Sequence, residues 1–75
     1  MGFNPTKKDF LDLYVCSRVM PSKWVEKGSE DEERLKASGW WEFQHSVNAG
    51  RGSIYKINEA GAVALEKWLR DNGQD

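Results

Sequence analysis

A chain of 75 residues makes one domain with a single modest core. With 39% hydrophobic and 31% charged residues, it is neither a disordered tail nor a membrane protein, and it reads as soluble and globular. Eleven Lys and Arg against twelve Asp and Glu leave a net charge of -1, which excludes a global field steering the domain to phosphate, so any nucleic-acid surface must be local.

Thr6 stands three residues before Asp9, the spacing of a capping box, and predicts a helix from about Lys7. In that helix Phe10, Leu11, Leu13, Tyr14, Val15 and Val19 cover a wide apolar face, with Asp9, Asp12 and Cys16 on a narrow opposite one, so the helix is expected to be largely buried. Pro21 ends it. Ser22 then reads as the cap of a short helical turn through Lys23, Trp24, Val25, Glu26 and Lys27, closed by Gly28. Ser29 and Glu32 form a second capping box, and the carboxylates of Glu30, Asp31, Glu32 and Glu33 suit the exposed amides of a first turn and solubility. That helix runs to Ser38, with Leu35 inward and Gly39 as a left-handed terminator.

From Trp40 the period becomes two, with Trp41, Phe43, His45 and Val47 on one side and Trp40, Glu42, Gln44 and Ser46 on the other. A second run, Ser53 to Ile57, completes a hairpin across the five-residue tip Asn48 to Gly52. Asn58 caps a last helix with Ala64, Leu65, Trp68 and Leu69 inward and Asn72-Gly73 at its end. The fold class is therefore α+β: three N-terminal helical segments, a two-stranded antiparallel hairpin and a C-terminal helix in one domain spanning residues 1 to 75, with flexible ends at about 1 to 5 and 72 to 75.

Chemistry is sparsely represented. Cys16 and His45 are single residues without a nucleophile motif or an orienting partner, and together they supply two unclustered ligands where a metal needs three or four. Gly50-Arg51-Gly52-Ser53 lies in the wrong context for a phosphate-cradling loop. No catalytic residue, cofactor or metal is expected. One cysteine allows no internal disulfide, and residues 1 to 20 lack the apolar run of a signal peptide or membrane span, so the expected location is cytoplasmic, without membrane attachment.

Leu35-x-x-x-Gly39-Trp40-Trp41, the Gly and Arg-containing tip, and Tyr55-Lys56-Ile57-Asn58-Glu59-Ala60-Gly61 together resemble the winged-helix (winged helix-turn-helix) family: a recognition helix ending in Gly plus two apolar residues, a wing, and a closing Y-x-L-T-x-x-G. The resemblance covers about residues 29 to 69. It implies that residues 29 to 38 take the recognition-helix position, 48 to 52 the wing tip and 23 to 27 the supporting helix, with Trp40 beneath the recognition helix and Trp41 and Phe43 against the first or last helix. Its implied function is a small DNA-binding transcriptional regulator, with Lys23, Lys27, Arg34, Lys36 and Arg51 as the phosphate-contacting cations, too few for more than weak, salt-sensitive binding. Four carboxylates in the first turn of the recognition helix oppose DNA approach. The alternative is a winged-helix protein-interaction module or inhibitor with a basic partner, using Glu30, Asp31 and Glu33 with exposed Trp24 and Trp41, because a core this small does not enclose four indoles. Either reading is compatible with a homodimer.

Overall fold

The computed structural model describes residues 3 to 72. In chain order they form α1 (Lys7–Arg18), β1 (Lys23–Glu26), α2 (Glu30–Ser38), β2 (Trp41–Val47), β3 (Gly52–Ile57) and α3 (Glu59–Asp71). The three strands make one antiparallel sheet in the order β1-β3-β2, and the three helices are grouped on the face bearing Tyr55. Leu13, Val25, Leu35, Trp41, Tyr55, Leu65 and Leu69 form the core between the layers. Among the described residues no helix is long and apolar enough to cross a membrane. The flexible ends and the Gly73 terminator expected from the sequence fall partly on residues 1, 2 and 73 to 75, outside the described residues.

The expected hairpin, last helix and two capped helices are present, with Gly39 left-handed at φ 74°. The second segment is a correction. Residues 23 to 26 form a strand, not a helical turn, so no supporting helix stands beside α2. Ser22 and Gly28 had read as helix ends, but Gly28, at φ 78°, turns the chain from β1 into α2. A helix this short gains little internal stabilisation, whereas the extended chain buries Val25 opposite Ser53 in the sheet.

The hairpin alternation also breaks midway. Trp41, Glu42 and Phe43 face Ile57, Lys56 and Tyr55, but the register then slips so that His45 faces Ile54 and Val47 faces Gly52. Gln44 is the extra residue of a bulge, which sends His45 and Val47 to the sheet face opposite Trp41. Phe43 is about half exposed, its ring edge-on to Tyr55 at 5.7 Å, and so is not enclosed by the first or last helix as expected.

The tryptophans take four environments. Trp41, 9% exposed, is a core residue, which corrects its reading as an exposed contact. Trp40 is half-buried against Phe3 and Phe10 at 5.6 and 5.2 Å, and Trp68 stacks on Phe10 at 5.2 Å, so the aromatic partners of Trp40 come from α1 and the residues before it. Only Trp24 stands largely in solvent, at 52% exposed. It pairs with Ile54 on the outer sheet face, its indole over Gly52, where an added Cβ would clash with Nε1.

The closing motif has a packing cause. Asn58 Oδ1 accepts from the Gly61 amide at 2.8 Å, its Nδ2 donates to the Gly39 carbonyl at 2.9 Å, and its own amide donates to the Trp40 carbonyl at 2.9 Å. One residue thus caps α3 and fastens it to the corner between α2 and β2. At Gly61 a Cβ would lie 2.5 Å from the Trp40 carbonyl oxygen, so the third residue of the helix must lack a side chain.

Candidate interaction surface

The five candidate DNA-contacting cations do not form one patch. Arg34 reaches back to α1, donating from Nε to Asp9 Oδ1 at 2.9 Å and from Nη2 to Asp9 Oδ2 at 2.7 Å and the Asn4 carbonyl at 2.8 Å. Its guanidinium also lies over the Phe3 ring, 4.7 Å from the centroid. The Asp9 carboxyl is accordingly held below its usual range, chiefly by Arg34. Lys23 pairs with Asp12 at 3.7 Å. Lys36 is exposed in the last turn of α2, close enough to Glu32 to act on it electrostatically. Lys27 and Arg51 alone are brought together, the Lys27 amide donating to the Arg51 carbonyl at 2.8 Å beside the hairpin tip.

The alternative set also divides. Glu30, Asp31 and Glu33 are exposed in the first turn of α2. Trp41 is enclosed, and Trp24 belongs to the outer side of the sheet, across from the helix layer. Glu32, read from the sequence as part of the same acidic surface, is instead 4% exposed. Its amide donates to Ser29 Oγ at 3.2 Å, its Oε1 accepts from the Gly28 amide at 2.7 Å and its Oε2 accepts from the Tyr55 hydroxyl at 2.9 Å. These donors, with Ser53, hold its carboxyl down to about 2, and burial beside Glu32 pushes the Tyr55 phenol up to about 12. The capping-box spacing had marked Glu32; only the strand pairing reveals the hydroxyl above it.

The amphipathic reading of α1 holds only for Leu13 and Phe10. Leu13 is fully buried and Phe10 half-buried, but Leu11, Tyr14, Val15 and Val19 are exposed, with Val19 at 72%. Asp9, Asp12 and Cys16 are the half-buried residues, because α2 and β1 bring Arg34 and Lys23 to the two carboxylates. Ion pairs have turned the nominally polar side toward neighbouring elements and left an apolar stripe outside.

That stripe leads to a groove of about 250 Å³ between the C-terminal half of α1 and β1, lined by Val15, Cys16, Met20 and Trp24 with Asp12 and Lys23 at its side. A smaller cleft shares Asp12 and Lys23 with it and is also lined by Asp31 of α2. Burial pushes the Cys16 thiol up, which disfavours the thiolate. The His45 ring lies on β2, its Nδ1 3.3 Å from the Ser46 carbonyl, with no hydrogen bond to Cys16. Among the described residues no three His, Cys, Asp or Glu side chains gather as a metal site.

No family model, no curated protein and no solved structure matches this chain.

Proposed function

We propose that this domain is a non-enzymatic, winged-helix-like binding module whose partner is a protein. The observation that carries this reading is Trp24, 52% exposed at the rim of an apolar groove that Val15, Cys16 and Met20 also line. A half-exposed indole beside a desolvatable groove has the composition of a binding hot spot, and contiguous exposed apolar surface is uncommon without a partner. The exposed carboxylates of Glu30, Asp31 and Glu33 favour a basic partner and steer its approach. Trp24→Ala is expected to leave the circular dichroism spectrum and the fold unchanged while weakening capture of a partner from host lysate by at least about tenfold. Identical captured proteins on wild-type and Trp24→Ala baits would remove this reading.

A second reading, a DNA-binding regulator, is supported by one observation: Lys27 and Arg51 meet beside the hairpin tip, the wing position of the winged-helix resemblance. Two adjacent cations give weak, sequence-independent phosphate contact whose affinity falls steeply with salt. Arg51→Ala should then weaken duplex binding on every sequence alike, while Arg34→Ala should not, since Asp9 already holds that guanidinium. No mobility shift with duplex at low salt would exclude it.

A further inference from the structure

The main-chain pattern of β1 says what kind of chain the groove accepts. In an antiparallel pair, alternate residues exchange both hydrogen bonds and those between them turn both groups away. Lys27 bonds to Arg51, and the same register makes Val25 with Ser53 and Lys23 with Tyr55 the bonded pairs. Trp24 and Glu26 therefore direct their amides and carbonyls to the free edge, since β1 is the outermost strand. The Glu26 carbonyl is already occupied, accepting from the Ser29 amide at 3.1 Å and hydroxyl at 2.6 Å. What stays open is the Trp24 amide, the Trp24 carbonyl and the Glu26 amide, enough to hold a short extended segment and too little for a long strand. The apolar groove borders this edge at Lys23 and Trp24.

Charge narrows the occupant further. With Asp9 paired to Arg34 and Asp12 to Lys23, the remaining charged groups around β1 and the start of α2 are Glu26, Glu30, Asp31 and Glu33 against Lys8, Lys27 and Arg51. The balance is negative.

Resting on the protein-binding reading above, we propose that the β1 edge takes up a short extended peptide segment, apolar at alternate positions and flanked by Lys or Arg, as an added antiparallel strand. The residue opposite Trp24 exchanges both main-chain hydrogen bonds with it and lies beside the indole on the outer face. Its two neighbours direct their side chains to the opposite face, into the groove of Val15, Cys16 and Met20. Main-chain bonds supply the sense of attachment, and the groove selects the side chains.

The test uses the whole chain and a blocked peptide, Arg-Val-Thr-Val-Arg, followed by amide exchange and fluorescence anisotropy. Binding should slow exchange of the Trp24 and Glu26 amides by at least about tenfold. N-methylation of the peptide's threonine, which removes one main-chain donor and no side chain, should weaken binding at least tenfold, as should exchanging its arginines for glutamates. Glu26→Pro removes an outward amide without touching a bond to β3, and should reduce binding with the sheet intact. Should that variant fail to fold, the N-methylated peptide decides alone. Equal binding of the methylated peptide overturns strand addition and leaves the Trp24 surface standing as a side-chain site. Absence of binding at millimolar peptide overturns the proposal, while loss of partner capture by Trp24→Ala remains the separate measure of the protein-binding reading. Concentration-dependent protection of the Trp24 amide without peptide would also overturn it, showing a second copy on the edge.

Discussion

Glu32 shows how one side chain serves two levels of structure. As the third helical residue it completes the cap of α2, and as an acceptor for Tyr55 it ties that helix to the central strand. Its folded-state carboxyl lies at about 2, below the ordinary 4.5, so its contribution to stability is complete above about 4.5 and is lost as pH falls from there toward 2. Urea midpoints should therefore drop between pH 5 and pH 2.5 in the wild type, and the gap between wild type and Glu32→Gln should shrink over the same interval. A constant gap would mean that the carboxylate charge is not what the site holds. Tyr55 acts at the other end of the scale: its phenol is raised to about 12, so stability present below 10 is lost as pH rises toward 12. The hairpin tip offers a gain instead. Asn48 and Ala49 both have left-handed backbone, at φ 55° and 57°, which Asn tolerates and Ala does not. Ala49→Gly should stabilise the domain by about 1 kcal/mol, read as a rise in urea midpoint without a change in slope.

Between elements, close approach matters more than propensity. At Gly52 an added Cβ meets the indole of Trp24, a side chain free to swing into solvent, whereas at Gly61 it meets the backbone carbonyl of Trp40, which Asn58 holds in place. Gly61→Ala should cost about 1 to 3 kcal/mol, and Gly52→Ala less, with its main effect a change in Trp24 fluorescence. Equal losses at the two positions would show that Trp24 is as fixed as the backbone. These pairs also mark how far the sequence could be read. Caps at Thr6, Ser29 and Asn58 and the terminator at Gly39 are local chemistry and were legible, as was the hairpin from its change of period. The strand β1 was not, because Ser22 and Gly28 bracket it like helix ends and its partner β3 lies about thirty residues away in sequence. The bulge at Gln44 leaves no mark in the alternation, so the period of two assigns His45 and Val47 to the face of Trp41, where the structure does not have them. Of the candidate site, exposed Trp24 was legible from the surplus of indoles, but the free amides beside it follow from register, which composition does not encode.

At the scale of the molecule, ion pairing decides which surface is left for partners. Arg34 and Lys23, two of the five cations expected to contact phosphate, instead bring α2 and β1 against α1, and Leu11, Val15 and Val19 face outward. The unpaired carboxylates of Glu30, Asp31 and Glu33 then sit just beyond Lys27. Two residues, Gly28 and Ser29, separate Lys27 from Glu30, so their Cα atoms lie at most about 11 Å apart, comparable with the screening length of about 8 Å at physiological salt. They therefore act on whatever approaches the Lys27 end of β1. Changing Glu30, Asp31 and Glu33 together to Gln should leave the thermal midpoint nearly unchanged, because Ser29 and Glu32 keep the cap. For a basic protein partner the association rate should fall several-fold at low salt with little change in dissociation, and the difference should vanish as salt is raised. For a module that instead binds DNA through Lys27 and Arg51, the same change should tighten duplex binding, because the carboxylates beside those cations are gone. Stopped-flow association of the Arg-Val-Thr-Val-Arg peptide, run beside duplex titrations at matched salt, separates the two. A slower peptide and an unchanged duplex support the protein-binding module, whereas an unaffected peptide and a duplex gaining affinity would move the function to the hairpin tip.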